Sequence, residues 1–167
     1  KIEQYKEAGF AMEPFTPKKQ QYLQIRKWQQ QYPKLVAGFT TKSGGVSIGP
    51  YSSLNLGLHV KDEKTKVIKN REIVAEEIVF PLTDWVLGEQ VHGVEIKHVT
   101  ESDRGSGTIS TASACKSADG LVTSTKGVLL AAFFADCIPL YFLEPEKQVI
   151  GLAHAGWKGT VGGIANK

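Results

Sequence analysis

Two imidazoles and a thiol, His92, Cys137 and His154, are the residues of this chain best suited to hold a metal ion. Each lies in a segment expected to end a strand: Glu89-Gln90-Val91-His92-Gly93, Ala135-Asp136-Cys137-Ile138-Pro139 and Leu152-Ala153-His154-Ala155-Gly156-Trp157. Imidazole nitrogen and thiolate sulfur suit zinc best among the common metals. Three protein ligands leave one coordination position open, as in catalytic zinc, whereas structural zinc is closed by four. The intervals of 45 and 17 residues are not diagnostic. The local context adds weight: His92 and His154 are each followed within two residues by glycine, which permits close backbone approach. Asp136 beside Cys137 is a candidate to support a ligand or accept a proton. Other readings stand beside this one. Cys137 could be a small buried core residue, and His154 a hydrogen-bonded histidine at a strand end. Cys137 could also be a nucleophile with His92 or His154 as its base.

The elements that would position these residues follow from periodicity. Residues 1–20 are polar, contain Pro14 and Pro17, and read as an irregular lead-in to one domain over 21–167. Strands are expected at Tyr22–Ile25 and Val36–Thr41, with a turn-rich loop over 40–50. The clearest helix is Glu63–Phe80, where Val67, Arg71, Val74, Ala75 and Ile78 share one face, Asp62 is placed to cap the start and Pro81 to stop it. Further strands are expected at Trp85–Leu87, Glu95–Val99, Leu121–Thr123, Val128–Ala135, Leu140–Phe142 and Val149–Ala153. A long Ser/Thr/Gly/Ala loop spans 101–118, a length more often functional or mobile than ordinary. The apolar runs suggest strands buried on both faces, in a sheet covered by helices. His154 is expected at a strand-to-helix transition.

With 167 residues the chain can bury a substantial core, and 41% hydrophobic with 22% charged residues is ordinary for a globular domain. The apolar runs fall short of a membrane span. The start shows no basic segment followed by an apolar stretch, so a cytoplasmic location is expected. The net charge of +3 is spread along the chain, unlike a nucleic-acid footprint. Two cysteines in unlike settings argue against a disulfide framework.

Seven segments together resemble the YfiH/YlmD family: 40–47 (Thr-Thr-Lys-Ser-Gly-Gly-Val-Ser), 53–60 (Ser-Leu-Asn-Leu-Gly-Leu-His-Val), Asn70-Arg71, 89–93, 118–123 (Ala-Asp-Gly-Leu-Val-Thr), 135–140 and 154–159 (His-Ala-Gly-Trp-Lys-Gly). The family was formerly described as multicopper polyphenol oxidases or laccase-domain proteins and includes FAMIN. The resemblance implies an α/β (α+β) fold of mixed β-sheet layers flanked by helices, related to a toxin-type cysteine hydrolase. It implies a zinc-dependent purine nucleoside phosphorylase acting on adenosine, inosine, guanosine and 5′-methylthioadenosine, with adenosine deaminase activity. By motif match, His92, Cys137 and His154 are its zinc ligands. Positions 42 and 158 are Lys where the family commonly has Arg, which keeps charge but loses the bidentate fork. Family members are longer, so a final third of the fold is expected beyond Lys167.

That chemistry needs cations for phosphate and a carboxylate for protons. Arg71, Lys42 and Lys158 are the phosphate candidates, with Gly44-Gly45 offering backbone donors; Asn55 and Ser47 are weaker polar ones that could merely cap turns. Arg71 could instead be a solvated or ion-paired helix residue. For deamination, a zinc-acidified water needs a proton shuttle, for which Asp136, Glu89 and Asp119 are the candidates. His59 could line the pocket and Trp157 could stack on a purine or belong to the core. The rival functions are a cysteine hydrolase or amidase built on Cys137, and a non-catalytic adaptor stapled by zinc. For the adaptor Cys115 is the one spare cysteine, in a poorly suited loop. Copper fits less well than zinc, because four histidines cannot build a multicopper centre. The expected partners are purine nucleosides and phosphate, without nucleic acid or membrane, in a monomer or homodimer.

Overall fold

The computed structural model describes residues 14–167. In chain order the elements are β1 (Phe15–Lys19), β2 (Tyr22–Ile25), α1 (Arg26–Gln31), β3 (Gly38–Thr40), α2 (Lys64–Ile78), β4 (Trp85–Leu87), β5 (Ile96–His98), β6 (Gly120–Thr123), β7 (Leu129–Ala131), β8 (Ile138–Glu144), β9 (Val149–Ala155) and α3 (Trp157–Val161), joined by loops and short 3₁₀ turns. They form three sheets. Strands β1-β2-β3 make an antiparallel sheet, β4 and β7 pair in parallel, and the third sheet runs β5-β6-β9-β8. In that third sheet β5 and β6 are parallel, while β9 runs antiparallel to both β6 and β8. The expected mixed α+β architecture is present.

The core follows the alternation of β4. Trp85 and Leu87 point into one buried cluster with Leu54, Val74 and Ala75 from α2 and the loop before it. Val86 points the other way, into a cluster with Val99, Ala118, Leu121 and Val128. A period of two thus buries this strand on both faces. Strand β8 departs from the expectation of burial on both faces. It is the edge of its sheet, and Ile138 and Phe142 are exposed. An apolar run records side-chain chemistry but not which neighbour covers it.

Three further expectations need correction. Residues 15–19, read as irregular, form β1; Phe15 packs edge-on against Phe39 and Tyr141, and Pro17 is tolerated because the strand is an edge. The rest of that lead-in, residues 1–13, lies outside the described residues. Asp62 does not cap α2, whose N-cap is Glu63. Its carboxylate instead accepts bonds from Ser47 Oγ (2.7 Å), Asn55 Nδ2 (2.9 Å) and the Glu63 N–H (2.8 Å). The 101–118 loop serves as a backbone partner for β4, since Ser106 O accepts from Leu87 N and Cys115 N donates to Leu87 O. Gly107, at φ +76°, permits this approach; a Cβ there would lie 2.9 Å from that of Leu87.

The inner face of α2 buries two polar residues, Asn70 and Arg71, among Val67, Val74 and Ala75. Asn70 accepts from Val46 N (2.7 Å) and donates to Ser47 Oγ and to Asn55 O (both 2.8 Å). The helix thereby pins the 42–62 loop through polar contacts, which a purely apolar periodicity would not reveal. Among the described residues no helix is long and apolar enough to cross a membrane.

Candidate functional site

The register of the third sheet decides where the chemistry assembles. Ile138 pairs with Ala155, so Cys137, one residue before β8, lies beside the end of β9 that carries His154. Gly120 pairs with Ala153, which sets Asp119 beside His154 from the other side. Strands β5 and β6 start together, with Ile96 opposite Gly120, so the turn before β5 that carries His92 reaches the same end. Because β9 runs opposite to its neighbours, its C-terminal end meets the N-terminal ends of the others. His92, Cys137 and His154 consequently present ligand atoms that all lie within 4.8 Å of one another. The rings of His92 and His154 stand edge to face at 4.8 Å.

This donor set can hold a metal ion, and a glycine leaves room for one. A Cβ on Gly156 would lie 3.0 Å from His92 Cδ2, 3.2 Å from Cys137 Sγ and 3.8 Å from His154 Cε1. The backbone of Gly156 is ordinary, with φ −70°, so space between the three ligands, and not a special dihedral, excludes a side chain. Gly156→Ala is therefore expected to weaken metal binding by about tenfold or more, a size comparable to loss of a supporting contact. Thermal stability measured in chelator should stay near the parent value. Unchanged affinity in a chelator competition would show that the cradle lies elsewhere.

Two sequence positions hold the cradle in shape. The side chain of Asp119 is completely buried against His154. Its Oδ1 accepts from His154 Nδ1 and from the backbone N–H of His92, both at 2.9 Å. Its Oδ2 accepts from the N–H groups of Gly93 (2.7 Å) and Val91 (3.1 Å). Gln90 was not singled out by the sequence. Its amide pairs with both backbone groups of Phe133, donating to the carbonyl and accepting from the N–H at 2.8 Å each. It thereby clamps the His92 turn to the segment leading into Cys137. Gln90 and His92 both adopt left-handed φ, +55° and +63°, a conformation that costs a non-glycine residue energy and is kept where neighbours enforce it. Sequence offers little signal for such a clamp, because a glutamine amide matching a distant backbone has no local pattern.

The cluster opens onto a cleft of about 1530 Å³ that Lys42, Asn55, Arg71, Glu89 and Asp136 also line. Ser47, Asp119 and Lys158 are not among its lining residues. Arg71 is 1% exposed. Its Nε donates to Leu56 O (2.8 Å), its Nη1 to Gly107 O (2.8 Å) and Thr108 O (2.7 Å), and its guanidinium stacks 4.8 Å from the Phe133 ring centre. It is neither solvated nor ion-paired by these contacts, and burial lowers its pKa to about 10. Ser47 and Asn55 spend their donors on Asp62. The Gly45 N–H donates to Ser53 Oγ, so the Gly44-Gly45 turn uses that donor internally. Lys42 and Lys158 are exposed, with Lys158 Nζ 5.7 Å from the Trp157 ring centre. Trp157 is itself 74% exposed and is not core. His59 is exposed and its ring lies 6.0 Å from that of Phe133.

The three carboxylates differ in what they already hold. Glu89 is exposed and accepts from the Ser117 N–H, which, more than the nearby Lys116, keeps it below the usual carboxylate range. Asp119 has four donors on two oxygens. Asp136 is exposed beside the cluster, where the Cys137 thiol donates to its Oδ1 at 3.6 Å. Desolvation and then the Asp136 carboxylate push the Cys137 thiol above its ordinary value. Nucleophilic cysteines are shifted the other way. Cys115 is half-buried next to β4 and is not part of the cluster.

Residues 36–167 match the family described as multi-copper polyphenol oxidoreductase laccase. The chain is 58% identical over 130 residues to the purine nucleoside phosphorylase YlmD of Geobacillus stearothermophilus, covering 78% of this chain and 47% of that protein. It is 46% identical over 151 residues to its Bacillus subtilis counterpart of the same name, covering 89% and 54%. The crystal structure of YlmD from G. stearothermophilus superposes with a TM-score of 0.87 at 51% identity, over 91% of this chain and 56% of that one. A Bacillus licheniformis hypothetical protein YfiH also gives 0.87, at 47% identity over 91% and 55%. The chain spans about half the length of the curated relatives it matches.

Proposed function

The chain belongs to the multi-copper polyphenol oxidoreductase laccase family, the YfiH/YlmD group, and from that premise we propose that it is part of a zinc-dependent purine nucleoside phosphorylase. The observation that carries the zinc reading is the convergence of His92, Cys137 and His154 in the lining of a cleft large enough for a nucleoside. The names of the relatives carry the reaction class. The substrates proposed are adenosine, inosine, guanosine and 5′-methylthioadenosine, with deamination of adenosine as a second activity at the same site. A zinc ion held there would supply Lewis acidity and a template for oxygen groups.

In phosphorolysis a phosphate oxygen bonds to the anomeric carbon while the bond from that carbon to the purine nitrogen breaks. The leaving base takes up a proton, and sugar 1-phosphate and free purine result. Lys42, exposed and lining the cleft, is proposed to offset phosphate charge. Lys158, exposed two residues beyond Gly156, is the second cation for that role. Arg71, with two of its nitrogens committed to carbonyls, braces the cleft wall it helps to line. Asp136 is the proposed proton-transfer group, because it is exposed beside the cluster while Glu89 and Asp119 are engaged by backbone donors. The raised thiol of Cys137 weighs against a cysteine hydrolase.

The test is release of purine from the four nucleosides by the intact protein, with and without phosphate. Phosphate-dependent release that a chelator abolishes and zinc restores is expected. Asp136→Asn is expected to lower turnover about 10²- to 10⁴-fold, the usual worth of a proton-transfer group, with zinc content retained. Release of free purine without phosphate, or full turnover in zinc-free protein, would overturn the reading.

A further inference from the structure

Asp119 does something the chemistry of substrate does not require. It lies outside the lining of the cleft, yet it touches two of the three ligand residues. Its backbone carbonyl accepts the His154 N–H at 2.7 Å while its Oδ1 meets His154 Nδ1 at 2.9 Å. His154 is thus gripped at both main chain and ring. The same carboxylate gathers the N–H groups of Val91, His92 and Gly93, three successive residues of the turn whose left-handed φ at His92 would otherwise be costly. Asp119 Oδ1 already accepts the His92 N–H and faces His154 Nδ1, a geometry that suits the neutral imidazole tautomer with its proton on Nδ1 and its Nε2 lone pair free for a metal.

We infer that Asp119 is a positioning residue that presets the metal cradle, fixing the His154 tautomer with one oxygen and the His92 turn with both. The inference rests on the zinc reading above for its purpose, but its structural content concerns metal-free protein. Ligand histidines elsewhere gain orientation and basicity from such a carboxylate, and losing it costs 10- to 100-fold in metal affinity. Here one group serves two ligand residues, one on β9 and one in the turn before β5, so the full effect is expected at the upper end of that range. Asn at 119 can still accept from His154 and His92 through its oxygen, but its NH₂ would face the Val91 and Gly93 donors. Asp119→Asn should therefore fall between the parent and Asp119→Ala.

Two measurements on the intact protein test this. In chelator-treated protein, nitrogen-15 imidazole spectra should show His154 protonated on Nδ1 in the parent and no longer held to that form in Asp119→Ala. Chelator competition should show zinc affinity falling about 10-fold in Asp119→Asn and towards 100-fold in Asp119→Ala. Melting in chelator identifies any loss that comes from unfolding, and the parent spectrum needs no variant at all. A parent His154 protonated on Nε2 would overturn the inference, as would folded Asp119→Asn binding zinc at parental affinity. If the parent binds no zinc, the functional reading fails by itself, and the tautomer still decides the role of Asp119.

Discussion

Cys137→Ala is expected to lower zinc affinity by roughly 10²- to 10³-fold and to take phosphorolysis with it when zinc is limiting. Structural zinc sites bind with about 10–16 kcal/mol over four ligands, so one ligand is worth about 2.5–4 kcal/mol. Among the described residues three offer ligand atoms to the proposed site, and the other two cannot close around the gap, because His154 is fixed by Asp119 and His92 by its turn. Metal content after dialysis and turnover at set zinc concentrations measure the effect; full zinc with full turnover would remove Cys137 from the site. The same thiol makes binding pH-dependent, since it must lose its proton to bind a metal. Desolvation and the neighbouring Asp136 hold the thiol above its ordinary value. The proton is therefore present at neutral pH and is displaced by metal. Affinity should rise about tenfold per pH unit up to that raised value, from this one proton. A flat profile from pH 7 to 8.5 in chelator competition would mean that no thiol is displaced.

Arg71→Met is expected to destabilise the protein by about 3–5 kcal/mol, a large part of the 5–15 kcal/mol that holds a domain folded. The guanidinium joins α2 to two separate segments through the carbonyls of Leu56, Gly107 and Thr108. Methionine would fill the stem's volume but leave those three carbonyls without their donor, at about 1–3 kcal/mol for each that stays buried and unpaired. Arg71→Lys should recover only part, because a single ammonium cannot reproduce the fork. Denaturant midpoints decide the matter. If both variants keep parental stability but need more phosphate for half-maximal rate, Arg71 acts on phosphate and not on the fold.

The elements with clean periodicity were legible. Trp85–Leu87 alternates into two cores as its residue types require, and α2 follows the spacing of Val67, Arg71, Val74 and Ala75 to within two residues at either end. Strand β1 was missed because its polar residues and proline suit an edge, which leaves no apolar pattern. The role of the 101–118 segment was hidden for another reason. It pairs with β4 through main-chain groups that every residue carries, so composition says nothing about it.

Within the site, sequence alone determined the ligand types. Imidazole and thiolate are chemical facts about His92, Cys137 and His154, and the flanking glycines and Asp136 travel with them. Sequence could not say that these three meet, because their spacing of 45 and 17 residues is compatible with many folds. Strand register decided that. Pairing Ile138 with Ala155 and Gly120 with Ala153 places Cys137, Asp119 and His154 at one end of the sheet, and a one-residue slip would turn each to the opposite face. Register is set by packing over the whole sheet, and so are the parts it assigns. Asp119, Gln90 and Gly156 became the frame of the cradle, while Arg71, Ser47 and Asn55 became struts of the fold. A residue's type limits the chemistry it can do, but only its neighbours in space determine which of its lone pairs and protons remain free to do it.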